Sequence, residues 1–474
     1  MQIYVNQHHR DIQDGTREHP YATVRQASEA AVPGDEIIVF PGVYRECVRP
    51  VRGGTDSAHP IVYRSFLPRG AVLSGAEILT GWESMGSGLY RARIPDALFD
   101  GPSPYREDGA GGAVFRNGQP LRKAGSPEDL PKERDSWCCL PQEGAVFVWV
   151  NLGGMDPRRD MMELAVRQAC FSPVSAETGY IALSEFCLEK TAGGPVRAAG
   201  QQAVLCAGCG SGWIIEDCEI RHGTGNGIRT DGQGVSGPDV LLIRACEIHG
   251  CGRDGVSGRP GAGTVSVEDC SIHHCGGQNG AGIRLNDAVS LRISGCHIHH
   301  CGAGLALEHG IRDVRITGCR LHHNGSAAPP AGADLGLVSC GQAVISRNLF
   351  LSGRSCRMAG PQIDFSRNLF TGSFPEAGKD CRFSGNICFE QAEGPCSVQA
   401  GGECLTLTDA RMEILGDEGR WVLRTNLYPM LPACRSDHTS PPAPGAPIQT
   451  AGTLPGPFED GTSGAWILKP GSLP

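Results

Sequence analysis

One short phrase recurs between Trp213 and Phe370 and constrains the fold more than any other feature. It is an apolar alternating run, then a Cys or Asn, one more apolar residue, and a His or Phe. It reads Trp213-Ile-Ile-Glu-Asp-Cys218-Glu-Ile220-Arg-His222, Val240-Leu-Leu-Ile-Arg-Ala-Cys246-Glu-Ile248-His249 and Val265-Ser-Val-Glu-Asp-Cys270-Ser-Ile272-His273. It returns around Cys296 and Cys319, and again, with Asn in place of Cys, around Asn348 and Asn368. The Cys/Asn positions step by 28, 24, 26, 23, 29 and 20 residues, the spacing of a solenoid. Inside each unit the period is two, so the unit consists of strands and turns. Such a unit cannot bury its apolar face alone. Stacking the units at roughly 4.8 Å gives an all-β parallel β-helix with one continuous core.

Stacking places like positions in rows. Cys218, Cys246, Cys270, Cys296 and Cys319 form one row, which Asn348 and Asn368 extend, and Cys251, Cys275 and Cys301 form another. The 22 Cys are therefore read as reduced, buried thiols rather than disulfides. Cys270-Ser-Ile-His273-His-Cys275 and Cys296-His-Ile-His299-His-Cys301 hold zinc-type ligands, but their five-residue Cys spacing follows equally from stacking, so no metal and no cofactor is expected. The 67 Gly suit a chain that turns several times per coil. A net charge of −9 with no basic stripe argues against a nucleic-acid partner. No apolar run approaches 18 residues, so no membrane partner is expected either. The start Met1-Gln-Ile-Tyr-Val-Asn enters a strand directly, without a secretory leader, which points to the cytoplasm; a homo-oligomer is left open.

Four regions follow. Residues 1–76 hold a capping helix, marked by the capping box Thr23-Val-Arg-Gln26 with Val24, Ala27 and Ala31 on one face, and the first coils. Residues 77–168 show no repeat and read as an inserted small β-sandwich. Residues 169–400 are the main solenoid. Residues 401–474 contain weak strands and a Pro-rich strap at 440–457, with Trp466-Ile-Leu expected to pair back onto the insertion.

Several motifs carry a resemblance: Gly42-Val-Tyr-Arg-Glu-Cys-Val-Arg-Pro50, Cys170-Phe-Ser-Pro-Val174, Gly212-Trp-Ile-Ile-Glu-Asp217, Ala281-Gly-Ile-Arg-Leu285 and Gly304-Leu-Ala-Leu-Glu308. Over positions 1 to about 370 the chain resembles the β-xylosidases of glycoside hydrolase family 120, which also carry a β-sandwich beside a β-helix. The resemblance implies a short xylan-derived oligosaccharide as substrate. It places Glu308 where the family has its nucleophilic Asp, at the end of Gly-Leu-Trp-Leu-Asp, with Ala306 in place of the Trp. Asn279 stands where the family has a second acid. The run Asp334-Leu-Gly-Leu-Val-Ser339 matches the family's acid/base segment without its Glu, which makes Asp334 the candidate there.

Stacking Leu305 on Leu335 sets Val338 over Glu308 and leaves Asp334 four residues back, roughly 13 Å along the strand. Asp231, Arg259, Asn286 and Glu308 then share one column, with Asp287 beside it, and these are the candidate sugar ligands. One acid is left where hydrolysis needs two, so weak or altered activity is expected. Two other classes remain open: a non-catalytic glycan-binding scaffold, and a polysaccharide lyase with Arg229, Arg259 or Arg284 as base.

Overall fold

The computed structural model describes residues 1–99, 105, 112–142, 145–175, 177–193, 202–207, 210–231, 239–277, 280–325, 334–338 and 340–353, and beyond these mainly strand backbone as far as Leu468. Among the described residues two parallel sheets of twelve strands run from the first coils to the last, and a third of seven strands spans Ala203 to Ala359. A typical coil takes Trp213–Glu216 into the first sheet, Glu219–Arg221 into the second and Asn226–Asp231 into the third, then returns to the first with Asp239–Arg244. Like positions pair in register, Ile220 on Ile248, then Ile272, Ile298 and Leu321. Each of these side chains is fully buried, so the alternation seen in the sequence becomes one apolar column inside the solenoid.

The corner between the first and second sheets explains the Cys and Asn rows. Asp217, Ala245, Asp269, Gly295, Gly318 and Arg347 take left-handed conformations there, with φ between 51° and 68°, which turns the next side chain into the core. Cys246, Cys270, Cys296 and Cys319 point their Sγ at backbone oxygens of the preceding coil, 3.4–3.7 Å away. Where the row changes to Asn the contact becomes a full hydrogen bond: Asn348 Nδ2 donates to the Ile316 oxygen at 2.9 Å and Asn368 Nδ2 to the Ile345 oxygen at 2.7 Å. The second Cys row ends in Asn324, which sequence spacing did not reveal; its Nδ2 donates to the Ile298 oxygen at 3.0 Å. Burial raises the Cys218 thiol well above its ordinary range and lifts Cys187 to about 12, which keeps both protonated.

At the N-terminal end the helix Val24–Ala30 closes the first coil, and the Thr23/Gln26 capping box is formed. Val24, Ala27 and Ala31 are fully buried. Glu46 completes the cap by accepting from the Val24 and Arg25 N–H groups at 2.8 and 3.0 Å. Among the described residues no helix is long and apolar enough to cross a membrane.

The insertion forms two small sheets. One joins Ala76–Ile78, Val114–Arg116, Gln119–Pro120 and Met162–Ala165, and the other joins Glu83–Gly86, Leu89–Ile94, Arg122–Lys123, Ser136–Gln142 and Ala145–Asn151. They share one core that includes Trp82, Val114, Trp137, Val148 and Leu164. A buried ionic chain fastens this unit to the solenoid: Arg45 and Lys190 both reach Glu163 at 2.8 Å, Lys190 reaches Glu189 at 2.8 Å, and Arg221 reaches Glu189 at 2.7 Å. Burial would raise the Glu189 carboxyl, but Lys190 and Arg221 outweigh it and hold it below the usual range.

At the C-terminal end Leu405–Thr408 extends the second sheet. Ala410–Leu415, Arg420–Thr425, Ala465–Leu468 and Phe458–Gly461 pair with one another in an antiparallel sheet. Trp466-Ile-Leu, expected to pair onto the insertion, instead pairs within this C-terminal sheet, with Arg420–Thr425 on one side and Phe458–Gly461 on the other. The strap at 440–457 lies outside the described residues.

The second sheet carries on its outer face a column of stacked imidazoles, His249, His273, His299 and His322, with successive ring centroids 4.8–4.9 Å apart, and His222, one register position beyond Arg221, meets His249 edge-on at 5.6 Å. Burial, then neighbouring cationic groups, pull His222 and His322 down to about 4 and His299 to about 3. Their folded values lie below the ordinary 6.5, so the unfolded chain takes up protons first as pH falls. Stability is therefore full above about pH 6.5 and is lost as pH drops toward 4. Thermal unfolding followed by circular dichroism should show a midpoint several degrees lower at pH 4.5 than at pH 7.5; a flat profile would contradict the half-buried, neutral imidazoles.

Candidate active site

The third sheet presents the most chemically varied face. Ile228, Val256, Ile283, Leu305 and Leu335 point inward and are fully buried, as are Leu285, Leu307 and Leu337. The first four of these strands are entered through a glycine forced by close approach, and the Leu335 strand follows Asp334. A Cβ on Gly227, Gly255, Gly282 or Gly304 would fall 2.5–2.9 Å from Ile248, Ile272, Ile298 or Leu321 of the second sheet. The repeated Gly-apolar pair in the sequence is this corner.

Between the inward residues lie two further columns of strand positions. Arg229, Ser257, Arg284 and Ala306 are in register in one. In the other, Asp231 pairs with Arg259, Asn286 with Glu308, and Glu308 with Val338, while Gly258 on Leu285 brings Arg259 alongside Asn286. Register alone thus brings Asp231, Arg259, Asn286 and Glu308 together.

Glu308 keeps 42% of its side-chain surface in solvent. Its Oε1 lies 3.8 Å from Arg284 Nη1, and the same guanidinium places Nε 3.1 Å from Asp254 Oδ1. Asp254 is buried and also accepts the Ala281 N–H at 2.7 Å, while its own N–H donates to Asn226 Oδ1 at 3.2 Å. Burial pushes the Asp254 carboxyl above the usual carboxylate range even though Arg284 pulls it down. Because one guanidinium, about 2.3 Å across, touches both acids, their carboxylates lie within about 9 Å of each other, within reach of the roughly 5–9.5 Å separations glycosidases use.

The lone acid expected from the sequence therefore has a companion. Asp254 precedes Gly255-Val256 as Asn226 precedes Gly227-Ile228, so its place at the strand entrance was visible in the repeat. Its proximity to Glu308 was not, because it arises two coils away through Arg284.

The other candidates divide. Arg259 lies 3.9 Å from Asp287 at the exposed rim, and Asp287 holds a left-handed turn with φ 54°. The Asn286 amide donates to the Leu285 and Glu308 backbone oxygens at 2.8 and 2.9 Å, which ties the Glu308 strand to its neighbour. Asp334 is 1% exposed, and its Oδ1 accepts from Asn324 Nδ2 at 2.8 Å. It sits at the corner where the second polar row ends, four residues before Val338, and so serves the wall instead of facing Glu308. Asn279 lies outside the described residues, and for Asp231 only the strand position is described. Ala281, Ala303 and Ala306 form a small apolar cluster beside Arg284, where the resembling family places a Trp.

Residues 202–386 match the sequence family described as right handed beta helix region. The fold is a right-handed parallel β-helix. A solved structure of XylC in complex with xylose superimposes on this β-helix with a TM-score of 0.76 at 20% identity, covering 90% of this chain and 89% of that one. A shorter stretch of 76 residues is 33% identical to the uncharacterized protein YwoF of Bacillus subtilis (strain 168); it spans 16% of this chain and 16% of that protein.

Proposed function

We propose that this β-helix is a glycoside hydrolase of the β-xylosidase kind, acting on a short xylan-derived oligosaccharide at the outer face of the third sheet. The observation that carries the reading is the pair Asp254 and Glu308 held by one guanidinium. Glu308, the more exposed, is the nucleophile or base, and Asp254, whose carboxyl burial raises, is the general acid. Arg259, Asn286 and Asp287 line the same face and supply sugar hydroxyl contacts; Asp231, whose strand position is in register with Arg259, joins them, and Asn279 takes the same role on the resemblance alone. Support also comes from the motif resemblance and from the shared fold with XylC, whose structure contains xylose. The insertion is then the small β-sandwich that the resemblance implies. Free thiols throughout the described core support a reducing, cytoplasmic setting.

Two departures set the rate low. Arg284 sets its single positive charge between the two acids and occupies the space a sugar would need, and Ala306 offers no ring for a sugar to stack on. Release of nitrophenol from an aryl β-xyloside is expected, slowly, together with xylose binding by calorimetry. Binding without turnover would favour the non-catalytic glycan-binding alternative, for which the Arg284 clamp on Asp254 is the supporting observation. Neither binding nor turnover would overturn both.

A further inference from the structure

The outer face of the second sheet carries chemistry that sugar cleavage does not use. Beside the imidazole column described above stands a second one, His274, His300 and His323, with centroids 4.9 and 5.0 Å apart and rings nearly parallel. In three successive coils the two columns meet as perpendicular pairs: His273 with His274, His299 with His300, and His322 with His323. Within each pair the Nδ1 atoms lie 2.9, 2.8 and 2.8 Å apart. His274, His300 and His323 are exposed, so the pairs open to solvent, and each takes the left-handed conformation, φ 52–54°, that turns its ring toward the preceding residue.

We propose that these paired imidazoles bind a divalent transition-metal ion of the copper or nickel class, with His299 and His300 as the primary clamp. Two nitrogens bound at about 2.05 Å are separated by about 2.9 Å at a right angle and about 3.3 Å at the tetrahedral angle, so the observed spacing fits adjacent corners of a tetragonal site. The middle pair has a third imidazole within reach, since ligand atoms of His299, His300 and His322 all lie within 4.8 Å of one another. Binding exchanges one imidazole N–H bond for another and leaves the rest of the covalent structure intact. The hydrogen shared between the two Nδ1 atoms moves to Nε2 of the same ring, and both Nδ1 lone pairs then replace water on the ion. Adjacent pairs are only about one coil apart, so repulsion between neighbouring dications limits occupancy to one or two ions. The Cys of these coils point into the core while the His point out, so the two residue types do not share a ligand set.

The test is titration of the full chain, stripped with chelator, with copper(II) chloride alone, followed by calorimetry and electron paramagnetic resonance. At least one equivalent should bind with nitrogen superhyperfine structure. His300→Asn, chosen because Asn tolerates the left-handed backbone, should weaken binding more than tenfold. The triple substitution His274→Asn, His300→Asn and His323→Asn should abolish it, with circular dichroism confirming that the β-helix persists. Copper uptake unchanged in His300→Asn, or a spectrum without nitrogen coupling, would overturn the proposal. Xylosidase activity is a separate readout that the outcome does not touch.

Discussion

Glu308→Gln is expected to lower turnover of an aryl β-xyloside by about a thousandfold while leaving the β-helix folded. Losing a nucleophile or a general base in a two-carboxylate site costs on the order of 10²–10⁴ in rate. Amide and carboxylate are nearly isosteric, and the Glu308 side chain is well exposed, so stability should shift by no more than about 0.5 kcal/mol. Asp254→Asn should behave differently. It removes the acid, but it also weakens the acceptor for Ala281 N–H and Arg284, so both rate and unfolding midpoint should fall. The two variants together separate chemistry from scaffolding. Equal loss of stability in both, or undiminished turnover in Glu308→Gln, would remove Glu308 from the mechanism.

The largest stability effect is expected at the junction of insertion and solenoid. Lys190 is 4% exposed and lies between Glu163, 1% exposed, and Glu189, 4% exposed. Lys190→Met keeps the volume but leaves two buried carboxylates with one fewer cation. Removing one partner from a buried ion pair costs about 3–5 kcal/mol. Arg45 still holds Glu163 and Arg221 still holds Glu189, which sets the expectation near the lower end, about 3 kcal/mol. Urea unfolding should show it, and adding Glu163→Gln to Lys190→Met should restore part of the loss, since the orphaned charge goes. A double variant no more stable than the single one would mean that packing over the Phe115 ring, 5.5 Å from Nζ, carries the effect instead.

Much of this molecule is readable along the chain because a solenoid repeats a local rule. The period-two runs, the left-handed corners before Cys218, Cys246, Cys270, Cys296, Cys319 and Asn348, and the Thr23 capping box all act within a few residues. Once coils stack in register, the rule also predicts long-range neighbours. Glu308 beside Asn286 and under Val338 is such a case, as is Asp231 beside Arg259.

Sequence by itself therefore determined the coil, its buried rows and which residues share a column, since hydrogen-bonded register translates each position onto the next. Only the tertiary structure decided what happens between columns and beyond the repeat. Arg284 joining Asp254 to Glu308, Lys190 reaching Glu163 across the insertion, Asn324 closing the second Cys row and the imidazole pairs facing outward all depend on how corners bend and how a non-repeating unit docks. Those contacts are set by packing in three dimensions, for which no spacing along the chain is a substitute.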